Sequence, residues 1–295
     1  MSDEPPQDAA PARLGPLAPI AFLLTIVTTI YAGASLSVHR GTGPLSAWPA
    51  GAWWDGLVFS TALLVVLAAH EAGHMWAAKR EGVWLGWPIF LPSIPPLGTL
   101  GAVLQAPDRP LTRSAWVRIA AGGPLGGLVL LLPIALVGVA MSEVRPLPIE
   151  EGGWMQLGTP LLFGWMERWF HGPIPAGHDV FLHPLAFAAW VGFLVTALNL
   201  LPVAQLDGGH LVHGLIGGAA RWVNWLVWGG LVVLGWLAYP GWWVLVLLLF
   251  VVLGVEHPQR LTPGPGITPG ERWLALVTLC WLPLTFVPQP LLAIA

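Results

Sequence analysis

Residues Leu63–Lys79 read LLVVLAAHEAGHMWAAK, a helix-length apolar run in which His70, Glu71 and His74 interrupt an otherwise lipid-soluble segment. The composition around it belongs to a membrane protein. Of 295 residues, 56% are hydrophobic and 9% charged, and the mean hydropathy is +0.72, whereas an ordinary soluble domain is about 25% charged. An ionisable residue inside a span costs on the order of 3 kcal/mol unless something compensates it, so three clustered together call for a partner.

A helix needs roughly 20 apolar residues to cross the hydrocarbon core, and segments near 17–38, 56–79, 116–141, 185–216, 222–238, 241–255 and 272–292 are candidates. The fourth is interrupted by Pro202 and LDGG, and the fifth and sixth are short and separated by Tyr239-Pro240-Gly241, so six or seven spans are expected. The fold class is an all-α polytopic membrane protein. Residues 1–16, polar, acidic and Pro-rich, read as a disordered tail, and 17–295 as one membrane domain with its core at about 56–216. With the N-terminus inside and seven spans, Arg13, Lys79, Arg80, Arg109, Arg113, Arg118, Arg221, Arg260 and Arg272 fall on the cytoplasmic side. Arg40, Arg145 and Arg168 fall outside. This bias puts the end of the HEAGH helix on the cytoplasmic side and the 142–184 connection outside.

The net charge of −3 and the lack of a basic run exclude nucleic acid as a partner. The single cysteine, Cys280, excludes a disulfide within the chain and a Cys-rich zinc site, and its apolar surroundings make it a small buried hydrophobe. Any metal must be held by His and carboxylate. Positions four apart share a helix face, so His70 and His74 can aim two imidazoles at one ion with Glu71 beside them, the HExxH arrangement of zinc hydrolases. A catalytic zinc takes three protein ligands and one open position. The only other candidate span with an interior carboxylate is the fourth, where ALNLLPVAQLDGGH carries Asp207; Pro202, Gly208 and Gly209 let the helix break and aim that carboxylate inward. Trp48, Trp53, Trp54, Trp222, Trp225, Trp242 and Trp243 stand near span ends, as interfacial belts do.

HEAGH followed by Asn199, Pro202, Leu206, Asp207 and Gly208, the pattern NxxPxxxLDG, resembles the site-2 protease family of intramembrane zinc metalloproteases. The resemblance implies that His70, His74 and Asp207 bind one Zn2+ per chain and that Glu71 is the general base and acid. It further implies that Asn199 positions substrate or stabilises the oxyanion, and that the substrate is a transmembrane segment of another protein. WPIFLPSIPPLGTLGAVLQAP, with GTLGA at Gly98–Ala102, is similar to the family's re-entrant hairpin, especially in members of cyanobacterial and plant chloroplast type. A strand edge there would bind unwound substrate by strand addition. IAAGGPLGGLVL resembles the small-residue motif of the next span, where Gly122, Gly123, Gly126 and Gly127 permit close helix packing.

The 142–184 connection is too short for an inserted PDZ module. Its histidines, His171, His178 and His183, read as solvated, and His210 and His213 as neighbours of the site or surface groups. One Lys against eleven Arg points to a high-GC prokaryote, hence to a plasma membrane with the active site toward the cytoplasm. Two other classes compete, a metal transporter and a non-catalytic membrane scaffold or chaperone. A transport path would show polar residues along several spans, which are almost absent outside HEAGH and LDGG, and a scaffold has no need of Glu71.

Overall fold

The computed structural model describes residues 17–37, 45, 48–104, 107, 110–147, 154–203, 205–253, 262, 264 and 266–294; the expected tail at 1–16 lies outside the described residues. Three helices are long and apolar enough to cross a membrane: α1 (Leu17–Ser37), α2 (Ala50–Arg80) and α3 (Arg113–Ala140). At 1.5 Å per residue the 31 residues of α2 reach roughly 46 Å, longer than a hydrocarbon core of about 30 Å. The charged groups Lys79 and Arg80 fall in its last turn, where cations complement the helix dipole. α1 packs on α2 across a buried hydroxyl pair, Thr29 and Ser60, at 2.7 Å.

α5 (Pro184–Leu200) is apolar on every face and lies inside the protein, with Phe193, Val191, Ala189 and Ala197 fully buried. Its Phe187 stacks on Phe59 of α2 at 4.8 Å between ring centroids and on Trp190 at 6.1 Å. The fourth expected segment is therefore two helices. α5 stops at Leu200, before Pro202, and α6 (Asp207–Ile216) begins at the LDGG aspartate. α7 (Ala220–Leu237) and α8 (Gly241–Leu253) follow on either side of Tyr239-Pro240. Both turn large apolar side chains outward, among them Leu226, Trp236, Leu247 and Val251, a surface suited to acyl chains.

The last segment, 272–292, is not one helix: α9 (Pro269–Leu279) and α10 (Trp281–Thr285) are short, and Pro288 and Pro290 end helical pairing before a C-terminal strand. Cys280 is exposed rather than buried, because it continues the outward stripe of Trp273, Leu276 and Val277 on α9. The apolar run there faces outward instead of into the protein.

The molecule is mostly helical and also carries short antiparallel strand pairs. β1 (Ile89–Pro92) pairs with β2 (Thr99–Val103), β3 (Glu143–Pro146) with β5 (His178–Phe181), and β4 (Trp154–Leu157) with β6 (Leu291–Ile294). The turn of the first pair rests on α1. Gly98 has φ +74°, and a Cβ there would lie 2.7 Å from Thr29 Cα, so only glycine fits, while Thr28 Oγ1 donates to the Gly98 carbonyl at 2.7 Å. Thr99 Oγ1 donates back to Leu91 O at 2.9 Å and fixes the strand pairing. In the connection between α3 and α5, His183 caps α5 by accepting from Leu185 N–H, and His171 donates to Val139 O at 2.8 Å, so these two histidines hold helix ends.

α4 (Leu161–His171) of the same connection buries Phe163 and Met166 and draws Glu167 into their company. Burial, reinforced by the Asp179 carboxylate, pushes the Glu167 pKa up to about 7. Between its ordinary 4.5 and that value the folded chain holds a proton that the unfolded chain has released, so stability falls as pH rises through the window. The melting temperature is expected to decline between about pH 5 and pH 8 in wild type, and Glu167→Gln to flatten that decline and melt higher at the alkaline end. Thermal scans of both proteins across the range check this.

Candidate metal centre

α2 carries HEAGH in its C-terminal half, and one helical turn separates His70 from His74, so both imidazoles leave the same face. That face meets α3 at its glycines. A Cβ at Gly123 would lie 2.0 Å from His74 Nε2, and one at Gly127 would lie 3.2 Å from His70 Cβ, so the imidazoles occupy the volume side chains would take. Gly122 and Gly126 oppose the Gly73 and Ala69 backbone at similarly close range, which is why α2 and α3 can approach so tightly. The small-residue reading of IAAGGPLGGLVL thus has a specific content: the glycines make room for the histidine rings.

The third member arrives from α6. The chain turns sharply after α5, close enough that a Cβ on Gly208 would meet Leu200 O at 2.0 Å, and Asp207 becomes the first residue of the new helix. Its Oδ2 lies 3.2 Å from His70 Nε2 and its Oδ1 lies 3.2 Å from His74 Nε2, while the two Nε2 atoms are 3.1 Å apart. Zinc–ligand bonds of about 2.0–2.2 Å at tetrahedral angles place neighbouring donor atoms about 3.3–3.5 Å apart. Each imidazole faces a different oxygen of the one carboxylate, and one donor atom from each of His70, His74 and Asp207 lies within 4.8 Å of the others, a convergence that a single zinc ion would fit. Among the described residues, no other group of three metal-ligating side chains converges this way.

The second nitrogen of His74 settles its tautomer. Nδ1 lies 2.8 Å from the carbonyl of Ile119 on α3, which can only accept, so Nδ1 carries the hydrogen, and in the neutral ring Nε2 is the nitrogen left with a lone pair for a metal. Both histidines are buried, and the Asp207 side chain is 13% exposed. Glu71 is buried beside them and makes no hydrogen bond to another described residue. Asn199 lies half-buried at the end of α5, likewise without such a bond. His210, one turn into α6, stacks on Trp116 of α3 at 4.1 Å between centroids.

Sequence reasoning missed the charged knot beneath this site. Arg118 of α3 forks onto Glu81, the residue that ends α2, at 2.6 Å and 2.9 Å, and also reaches Glu271 of α9. Glu271 in turn accepts from Ser114 at 2.9 Å and closes a capping box with Thr268. Arginine followed by apolar helix at 118 and TPGE at 268–271 were the available signals, but their partners are 37 and 153 positions away in sequence.

A buried His, His, Asp triad between helices fit to span a bilayer defines a membrane-embedded protein with a candidate zinc centre. The model of peptidase family M50 matches residues 58–225, more than half of the chain, and the chain belongs to that family. Among curated relatives, the probable zinc metalloprotease EGY1, chloroplastic, of Arabidopsis thaliana is 34% identical over 298 residues, covering 92% of this chain and 53% of that protein. EGY2 of the same plant is 29% identical over 163 residues, covering 55% of this chain and 29% of that protein. The putative zinc metalloprotease Rip3 of Mycobacterium tuberculosis is 27% identical over 261 residues, covering 77% and 57%. The chain thus spans about half or less of the first two and somewhat over half of the third. No solved structure matches it.

Gly123→Ala tests the geometry. The added methyl enters the space of the His74 ring, so the purified variant is expected to retain less than about a tenth of the wild-type zinc, the scale of loss that follows misplacement of a ligand. Elemental analysis after gel filtration reads this directly.

Proposed function

We propose that this chain is an intramembrane zinc metalloprotease that hydrolyses peptide bonds within or next to transmembrane segments of other membrane proteins. The observation that carries the reading is the convergence of two imidazole nitrogens and one carboxylate at 3.1–3.2 Å beside a buried glutamate that has no hydrogen-bond partner among the described residues. Membership of family M50 and the zinc metalloprotease names of the relatives support it. The transporter and scaffold readings have no comparable observation behind them.

In this proposal His70, His74 and Asp207 hold the ion. A zinc ion held by these three residues would supply Lewis acidity toward a scissile carbonyl and would bring the pKa of water from 15.7 toward about 7. Glu71, buried beside the two histidines, takes the proton of the attacking water and delivers it to the leaving amine. Asn199 orients the substrate from the end of α5. The substrate helix has to unwind to expose a carbonyl, and β2 supports a means of holding it. That strand pairs with β1 on one side, and Leu100 and Val103 on it are exposed. An extended segment adding to its other edge would have its backbone groups satisfied while it is unwound.

The further assignments of this proposal are a re-entrant position for the β1–β2 pair and six or seven spans drawn from α1, α2, α3, α5 with α6, α7, α8 and the α9–α10 segment. They place the active site nearer the cytoplasmic face, on the Arg and Lys bias, in one membrane domain over 17–295. The plant relatives are chloroplastic by name and lend no support to a prokaryotic plasma membrane; that assignment rests on composition alone.

Purified protein in detergent, given a single-span reporter, tests the proposal. Glu71→Gln is expected to keep its zinc and lose about 100-fold or more in cleavage rate, the usual contribution of general acid–base catalysis. Asp207→Ala is expected to lose both zinc and cleavage. Cleavage at the wild-type rate by Glu71→Gln, or full zinc in Asp207→Ala, would remove that residue from its role.

A further inference from the structure

α6 holds Asp207 at its first position, so the rotation and seating of this helix of 10 residues decide where the carboxylate points. Positions 207, 210 and 214 are spaced by three and four and lie on one face of α6. Both later members of that stripe are fixed to the start of α3. His210 lies flat on Trp116, with ring planes 15° apart. Gly214 sits so close that a Cβ there would meet Val117 Cγ2 at 2.6 Å and Arg113 O at 3.1 Å. At the far end of the helix Arg113 folds its guanidinium over the last turn, Nε donating to Gly214 O at 2.7 Å and the terminal nitrogen to Leu215 O. A cation there satisfies carbonyls left without intrahelical partners and complements the helix dipole.

We infer that Arg113 and Trp116 are positioning residues for the metal: they set the rotation of α6 about its own axis and thereby hold Asp207 within ligating distance of His70 and His74. The inference rests on the ligand assignment proposed above. The magnitudes favour it. With side chains about 5–6 Å from the helix axis, a rotation of roughly 20° sweeps a carboxylate by about 2 Å, whereas metal–ligand distances tolerate about 0.2 Å. Leu211, fully buried among Val117, Leu200 and Ala275, seats the helix against its neighbours, and among the described residues the Trp116 stack and the Arg113 fork act on the stripe that carries Asp207 and on the helix end. α3 consequently positions all three donors, the two histidines through its glycines and the aspartate through its first turn.

Competition against a zinc chelator, with full-length protein in detergent, measures the effect. Arg113→Gln and Trp116→Leu are each expected to weaken zinc about 10-fold, the lower end of the range for residues that orient ligands. The metal-free proteins should melt near the wild-type temperature. Trp116→Phe, which keeps a ring to stack, and Arg113→Lys, which keeps one charged donor, are expected to recover most of the affinity. Raising free zinc should restore cleavage to the Arg113 and Trp116 variants and not to Glu71→Gln. Wild-type zinc affinity in both disruptive variants, or equal loss in the conservative ones, would overturn the inference and leave the two residues as ordinary packing. If the disruptive variants do not fold, the conservative pair still decides, since normal folding with zinc weakened as severely as expected for the disruptive variants contradicts it. Wild-type protein that binds no zinc would overturn the ligand assignment itself.

Discussion

Two imidazole nitrogens and a carboxylate meet at 3.1–3.2 Å in a buried place between apolar helices, and most of what is unusual about this chain serves that meeting. Acceptor atoms crowded in low dielectric repel one another and lose their water, which makes the arrangement costly unless a cation sits among them. A zinc ion offsets both costs at once. The same constraint explains why α2 keeps its histidines on one face, why α3 gives up side chains opposite them, and why the helix after α5 restarts at an aspartate.

α3 emerges as the frame of the site. Its glycines admit the histidine rings, its Ile119 carbonyl fixes the His74 tautomer, its first turn grips α6, and Arg118 ties the end of α2 to α9 through Glu81 and Glu271. Helix association in lipid gains little from the hydrophobic effect, because acyl chains are as apolar as the side chains they would replace. Close backbone contact and a few charged or polar clamps at the ends of helices therefore do the holding. Arg113 and Arg118 lie within two turns of each other at the start of α3, where such clamps can keep their charges near water.

The HEAGH and LDGG motifs were legible in the sequence because chemistry imposes local spacing on them: two histidines one turn apart, and a proline and paired glycines around an aspartate. Their convergence could be reasoned from the cost of burying charge. The break of the fourth segment was legible for the same reason. What was not legible depends on contacts between distant positions. Arg113 and Gly214 are 101 positions apart, and Arg118 and Glu271 153, so neither pairing leaves a local signature. Cys280 was misread because an apolar run has the same composition whether it faces protein or lipid. The short pairs β3–β5 and β4–β6 were missed because strands of four residues are too brief to show alternation.

Zinc held by nitrogen and oxygen donors from α2 and α6 is the central feature of the proposed site. X-ray absorption at the zinc edge of the purified wild-type protein tests it most directly. The predicted spectrum has a first shell of nitrogen and oxygen at about 2.0–2.2 Å with the outer-shell scattering of two imidazoles and no sulfur. A shell containing sulfur at about 2.3 Å, or one without imidazole scattering, would contradict the site as described.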